Sequence, residues 1–149
     1  MAEAVGLAGS IAGLVQIAAS IARLSYSYVL DVMNAPKTQK LYLQEVSAFV
    51  DVLLRTEQAL LESETAGLVP SRPATLSEAV IKDCQQQLTA LQLELEKRVR
   101  RLLWPFQEKE LRKHIDNLTR FRRMFADFVS ANILYAHTPT RLLKNIFAN

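Results

Sequence analysis

From Ala4 through Ala22, nineteen consecutive residues carry no charge, and this run constrains the fold more than any other feature of the chain. At about 1.5 Å per residue it makes a helix of about 28 Å, close to the ~30 Å hydrocarbon thickness of a bilayer. A secretory signal is a poor reading, because no Lys or Arg precedes the run and Glu3 stands where a basic region belongs. An ordinary membrane span also fits poorly. Only Val5, Leu7, Ile11, Leu14, Val15, Ile17 and Ile21 are strongly apolar, and the other twelve residues are Ala, Gly, Ser or Gln.

The surrounding chain reads as one globular helical domain. Its 149 residues suit a single core, and 50% apolar with 22% charged residues excludes disorder. Four Gly and five Pro argue against a turn-rich β architecture, whereas 23 Leu and 18 Ala favour helix throughout. The single cysteine, Cys84, excludes a disulfide framework and favours a reducing interior. A net charge of +3 hides a strong polarity. Between Lys97 and Arg123 ten Lys or Arg face three acids, so this window carries +7 and the rest of the chain −4.

Breaker signals divide the chain into four long helices. The first, within residues 1–34, carries Leu7, Ile11, Leu14, Ala18, Ile21, Ser25 and Tyr28 as one stripe, and Pro36 should end it near Met33–Asn34. A second helix is predicted over 37–64, with Tyr42, Val46, Phe49, Leu53 and Leu60 inward. Residues 65–74 hold Gly67, Pro70 and Pro73 and read as the longest loop. Thr75-Leu76-Ser77-Glu78 fits a capping box, opening a helix over 76–103 that buries Ile81, Cys84, Leu88, Leu91, Leu95, Val99 and Leu102. Trp104-Pro105 breaks that pattern. A fourth helix over 107–135 turns Leu111, Ile115, Leu118, Phe125 and Phe128 inward, and Thr138-Pro139 is expected to open a short fifth. The expected fold class is all-α, a bundle of four long helices with a possible short C-terminal one.

Catalytic chemistry is thin. The chain has no Gly-rich phosphate loop and no paired Cys or His at metal spacing, so no enzyme activity, metal or cofactor is expected. His114 beside Lys113 reads as a surface or boundary residue, and Cys84 on the core stripe as a buried, inert thiol. Glu94 and Glu96, two apart on a helix, diverge and make no acid–base pair.

Two surfaces remain. The first helix gathers Ala8, Gly9, Ala12, Gly13, Gln16, Ala19 and Ser20 on the side away from its apolar stripe, with no charge before Arg23. One reading makes it a central helix whose small residues allow the other three to pack closely. The other makes it a helix that leaves the bundle for a membrane. Gly6, Gly9 and Gly13 weaken the helix by roughly 0.5–1 kcal/mol each relative to Ala. Gly9 and Gly13 have the small-xxx-small spacing of helices that pack in lipid. The membrane-insertion candidates are Glu3, Val5, Leu7, Gly9, Ile11, Gly13, Leu14, Ile17 and Ile21, Glu3 because a carboxylate at an inserted end is costly unless hydrated or paired. The second surface comprises Lys97, Arg100, Arg101, Lys109, Arg112, Lys113, Arg120 and Arg123, set opposite the apolar stripes of helices 3 and 4. A solvated charged face competes there with anionic-lipid binding, where each cation contributes about 1 kcal/mol. Nucleic acid is disfavoured, since no recognised motif or aromatic platform accompanies the charge. Lys97–Phe106 also has the character of a calmodulin target, which Pro105 and the core position of Leu102 count against.

Three stretches carry a family likeness: the opening MAEAVGLAGSIAGLVQIAASIARL, the turn DVMNAP, and LLWPFQEKELRKHIDNLTRFRRMF. Over roughly Met1 to Asn132 the chain resembles the HeLo-like N-terminal domains of fungal NLR-type (STAND) receptors, which are cell-death effectors. These are considered akin to the four-helix killer domain of the animal mixed-lineage kinase domain-like protein and to plant resistance coiled-coil domains. The resemblance implies a single helical bundle, cytoplasmic at rest, that permeabilises the plasma membrane when a receptor or amyloid-type signal oligomerises it. It places the family's N-terminal acidic residue at Glu3 and its membrane-targeting segment at about Val5–Ile21. Two departures stand out: no nucleotide-binding module follows, and Leu142–Asn149 does not resemble an amyloid signalling motif. A non-lytic helical module that recruits partners to such a receptor is the alternative.

Overall fold

The first stripe, alternating four and three residues apart, forms one buried face of a helix, α1 (Ala2–Ser27). The structure, a computed structural model, describes residues 2–29, 33–65, 76–98 and 106–147, with side chains described within 6–29, 33–62, 76–97 and 106–131. Three further helices follow: α2 (Lys37–Thr65), α3 (Glu78–Arg98) and α4 (Glu108–Phe147). The fold is an all-α bundle, and no strand occurs among the described residues.

Contacts between helices fix their directions. Thr38 reaches Glu108, Glu45 pairs with Arg122 and Phe49 meets Phe125, so α2 and α4 run parallel. Glu94 meets His114 and Asp83 meets Arg120, so α3 and α4 run antiparallel. Ser20 bonds Gln92 and Tyr28 bonds the Leu95 carbonyl, which sets α1 parallel to α3. Helices α1 and α4 thus each pack on α2 and α3, which puts them across the bundle from one another.

The core between them joins Ile11, Leu14 and Ile21 to Tyr42, Phe49 and Leu53 of α2, Cys84, Leu88 and Leu95 of α3, and Leu118, Phe121, Phe125 and Phe128 of α4. Each is buried nearly completely, and full burial of such a side chain is worth about 1.5–3 kcal/mol. Expected core positions within the described side chains are buried or half-buried, while Val99, Leu102 and the Trp104-Pro105 step lie outside the described residues, as does the 66–74 part of the expected loop.

Three expected boundaries are corrected. α1 ends at Ser27, short of Met33, because the amides of Tyr28 and Val29 turn back to the Ser25 and Tyr26 carbonyls in tighter three-residue bonds. The start of α3 is capped by Ser77, whose hydroxyl accepts from the Val80 amide at 3.2 Å, with Glu78 in the first turn. Thr75, the expected cap, lies outside the described residues. No separate fifth helix forms: α4 continues through Thr138-Pro139 to Phe147. A proline inside a helix costs about 3 kcal/mol, yet the helix runs on through it.

Candidate functional site

The reading of α1 as a central helix surrounded by the others is overturned. Its inner face is sealed by α2 and α3, but Gly9, Gln16, Ala19, Arg23 and Ser27 are exposed and Ala12 and Gly13 are half-buried. A Cβ placed on Gly6, Gly9 or Gly13 would meet nothing within 4 Å. The three glycines therefore serve no close contact between described helices. The result is a helix with a solvent-facing side that carries no charge before Arg23. By length and composition Gly6–Ser27, with mean hydropathy 1.5, could cross a membrane, and 22% of its apolar window is buried.

Of the insertion candidates, Ile11, Leu14 and Ile21 are core residues, Leu7 and Ile17 pack partly against the core, and Gly9 and Gly13 lie on the open side. The side chains of Glu3 and Val5 lie outside the described residues. The insertion set is thus divided: the apolar part seats α1, and the small part faces water.

Among the described side chains, the polar attachments of α1 and the turn after it fall between Ser20 and Tyr28. Ser25 Oγ and Tyr42 Oη share a buried hydrogen bond of 2.8 Å, and Tyr26 Oη and Ser47 Oγ an exposed one of 2.9 Å. Tyr28 Oη donates to the Leu95 carbonyl at 2.7 Å, and Gln92 Nε2 donates to Ser20 Oγ at 2.9 Å. Burial pushes the Tyr42 phenol up to about 12, against a smaller lowering by Ser25, so it stays protonated and able to donate. Between Gly6 and Ala19 no side chain bonds another helix among the described residues, and Ser10 Oγ donates only to the Gly6 carbonyl of its own turn.

The basic surface is real on α4. Lys109, Arg112, Lys113, Arg120 and Arg123 are all exposed on the side opposite Leu111, Leu118 and Phe125, sharing it with Asp116 and Asp127. Arg112 pairs with Glu108 at 3.0 Å, and Arg120 lies 3.7 Å from Asp83 and over the Phe121 ring, so both are partly engaged. Lys97 is exposed at the end of α3 that lies beside the start of α4, and the side chains of Arg100 and Arg101 are outside the described residues. Arg122, inside the same basic run, is different: it pairs with Glu45 of α2, a carboxylate only 14% exposed, and ties α2 to α4. Its seven-residue spacing from Ile115 was the available signal.

Enzyme-like features are sparse. His114 is a boundary residue, its side chain 22% exposed, 4.7 Å from the Phe106 ring centre and 3.8 Å from Glu94. Burial pushes its imidazole below 6.5, while Glu94 and Glu110 raise it and Lys113 lowers it. Cys84 is buried, its thiol pushed up to about 12 by burial first and by Asp83 second, against a lowering by Arg120, which makes it a poor nucleophile. A cavity of about 20 Å³ beside Gln87, Leu91, His114, Asn117 and Phe121 has room for about one water. Among the described residues no three His, Cys, Asp or Glu converge as a metal site would require.

Comparison with known protein families, with characterised proteins and with solved structures finds no match.

Proposed function

We propose that this chain is a membrane-permeabilising effector of the HeLo-like kind, a cell-death domain kept soluble by seating α1 and activated by self-association. The observation that carries the reading is the outer side of α1, uncharged before Arg23, with Gly9, Gln16 and Ala19 exposed and open space beside Gly6, Gly9 and Gly13. Seating α1 buries Ile11, Leu14, Ala18 and Ile21 but leaves that side in water. A bilayer would bury both sides, returning the apolar burial the core supplies and adding that of Gly9, Ala12 and Ala19. The helix itself therefore gives up little apolar burial on moving to lipid.

The basic side of α4 supports the same reading as the membrane anchor. Each exposed Lys or Arg near an anionic surface contributes about 1 kcal/mol, so even Lys109, Lys113 and Arg123 together hold the domain loosely. α1 and α4 sit across the bundle, so their outer sides cannot both rest on one flat bilayer while α1 is seated. Release of α1, favoured when several anchored copies cluster, resolves that conflict. In this reading the domain is cytoplasmic at rest and moves to the plasma membrane when an upstream receptor or amyloid-type signal gathers copies. Neither a cofactor nor nucleic acid takes part.

The alternative, a non-lytic module that recruits partner helices, draws on Leu54 and Leu93, each about half exposed on α2 and α3. Sedimentation and dye release with phosphatidylserine-containing vesicles separate the two. The effector reading expects binding with leakage that rises steeply with protein density. Binding without leakage, or no binding, overturns it.

A further inference from the structure

The distribution of attachments along α1 says how the helix opens. Every hydrogen bond from α1 and the turn that follows it to another helix among the described residues falls at Ser20, Ser25, Tyr26 or Tyr28. Residues from Gly6 to Ala19 are held by apolar contact alone, through Ile11, Leu14 and Ala18 in the core and Leu7, Val15 and Ile17 at its edge. The charge pattern divides the helix at nearly the same place, since Arg23 is the first charge after Glu3. The two halves therefore answer a membrane differently. For the helix's own side chains, apolar contacts are exchanged for lipid at little cost. Hydrogen bonds to Tyr42, Leu95 and Gln92 have no replacement in hydrocarbon, and Arg23 is expensive there.

We propose that α1 opens as an arm, residues 2–19, hinged beside Ser20, while residues 20–28 stay clasped to α2 and α3. This rests on the reading that α1 leaves the bundle, and it adds what stays behind. The arm is about 27 Å long, close to the ~30 Å of the hydrocarbon layer. Beyond Glu3, Gln16 is then the one polar side chain larger than serine asked to enter lipid, and the rest of the arm is apolar or small. The clasp keeps each inserted arm tethered to its folded bundle, so clustering of bundles translates directly into clustering of arms.

Spin labels at two pairs of exposed sites test this on the full chain. One pair, Gly9→Cys with Gln58→Cys, spans the arm and α2; the other, Ser27→Cys with Gln44→Cys, spans the clasp and α2. All four sites are exposed, and Cys84 is buried and stays unlabelled. Distances are measured by double electron–electron resonance in solution and on vesicles of phosphatidylserine and phosphatidylcholine. The expected result is that the arm pair lengthens by roughly 10 Å or more, as a 27 Å arm pivoting at one end requires, while the clasp pair keeps its solution distance. Lengthening of both pairs overturns the hinge and leaves α1 release standing. An unchanged arm pair on vesicles that the protein permeabilises overturns both.

Discussion

Ser25 and Tyr42 face each other 2.8 Å apart, two hydroxyls in a core where neither side chain reaches solvent. Tyr42→Phe removes one hydroxyl and leaves the other buried with its partner gone. It should destabilise the bundle by about 1–3 kcal/mol in urea unfolding. Pairing it with Ser25→Ala should recover much of that loss, because two apolar groups in the same space cost little. Additive losses in the double variant would mean that the two hydroxyls do not depend on each other.

Gly9 and Gly13 have open space where a Cβ would stand. Gly9→Ala and Gly13→Ala should each stabilise the bundle by about 0.5–1 kcal/mol, read as a raised urea midpoint. A lowered midpoint would place an unseen contact against that face.

Neighbouring arginines on α4 should behave oppositely. Arg122→Ala strands the largely buried Glu45 carboxylate and should cost about 2–3 kcal/mol of stability. Arg123→Ala, on the exposed side, should leave stability within about 0.5 kcal/mol of the parent. On anionic vesicles it should weaken binding several-fold, in keeping with about 1 kcal/mol per cation. Combined charge reversal at Arg120 and Arg123 should make the loss larger and salt-sensitive. Binding that ignores these changes would remove the α4 face from the mechanism.

His114 gives the bundle an acid sensitivity whose sign is fixed by burial. The folded protein holds the imidazole below 6.5, so as pH falls through that value the unfolded chain takes up the proton first. Stability contributed by the neutral, buried ring is full above 6.5 and declines below it. Glu94, Glu110 and Lys113 are the charges that face it, and the two carboxylates temper the decline. Urea midpoints compared near pH 7.5 and near pH 5.5 should show a loss that His114→Gln largely abolishes. An equal loss in that variant would assign the sensitivity elsewhere.

Much of this fold is legible in periodicity, because burial follows the helical repeat: the stripes of α1 and α3 lie inward wherever their side chains are described. Local competition is less legible. Proline rules place the end of α1 too late, since turn bonds after Ser27 decide that point, and they place a break in α4 where the helix runs on through Pro139. The outer side of α1 and the cations of α4 can be read from spacing. Tertiary partners cannot: nothing local pairs Ser20 with Gln92, Tyr28 with the Leu95 carbonyl or Arg122 with Glu45.

The central claim, that the α1 arm enters the bilayer, is tested most directly by charging its open side. Gly9→Lys with Gln16→Lys places two cations where the seated helix meets only water, so the bundle should fold as before. Their added charge should preserve or strengthen binding to phosphatidylserine vesicles. Inside hydrocarbon each costs about 2.5–3.5 kcal/mol, so dye release should fall by roughly a hundredfold or more while binding persists. Leakage equal to that of the unaltered protein would contradict the account.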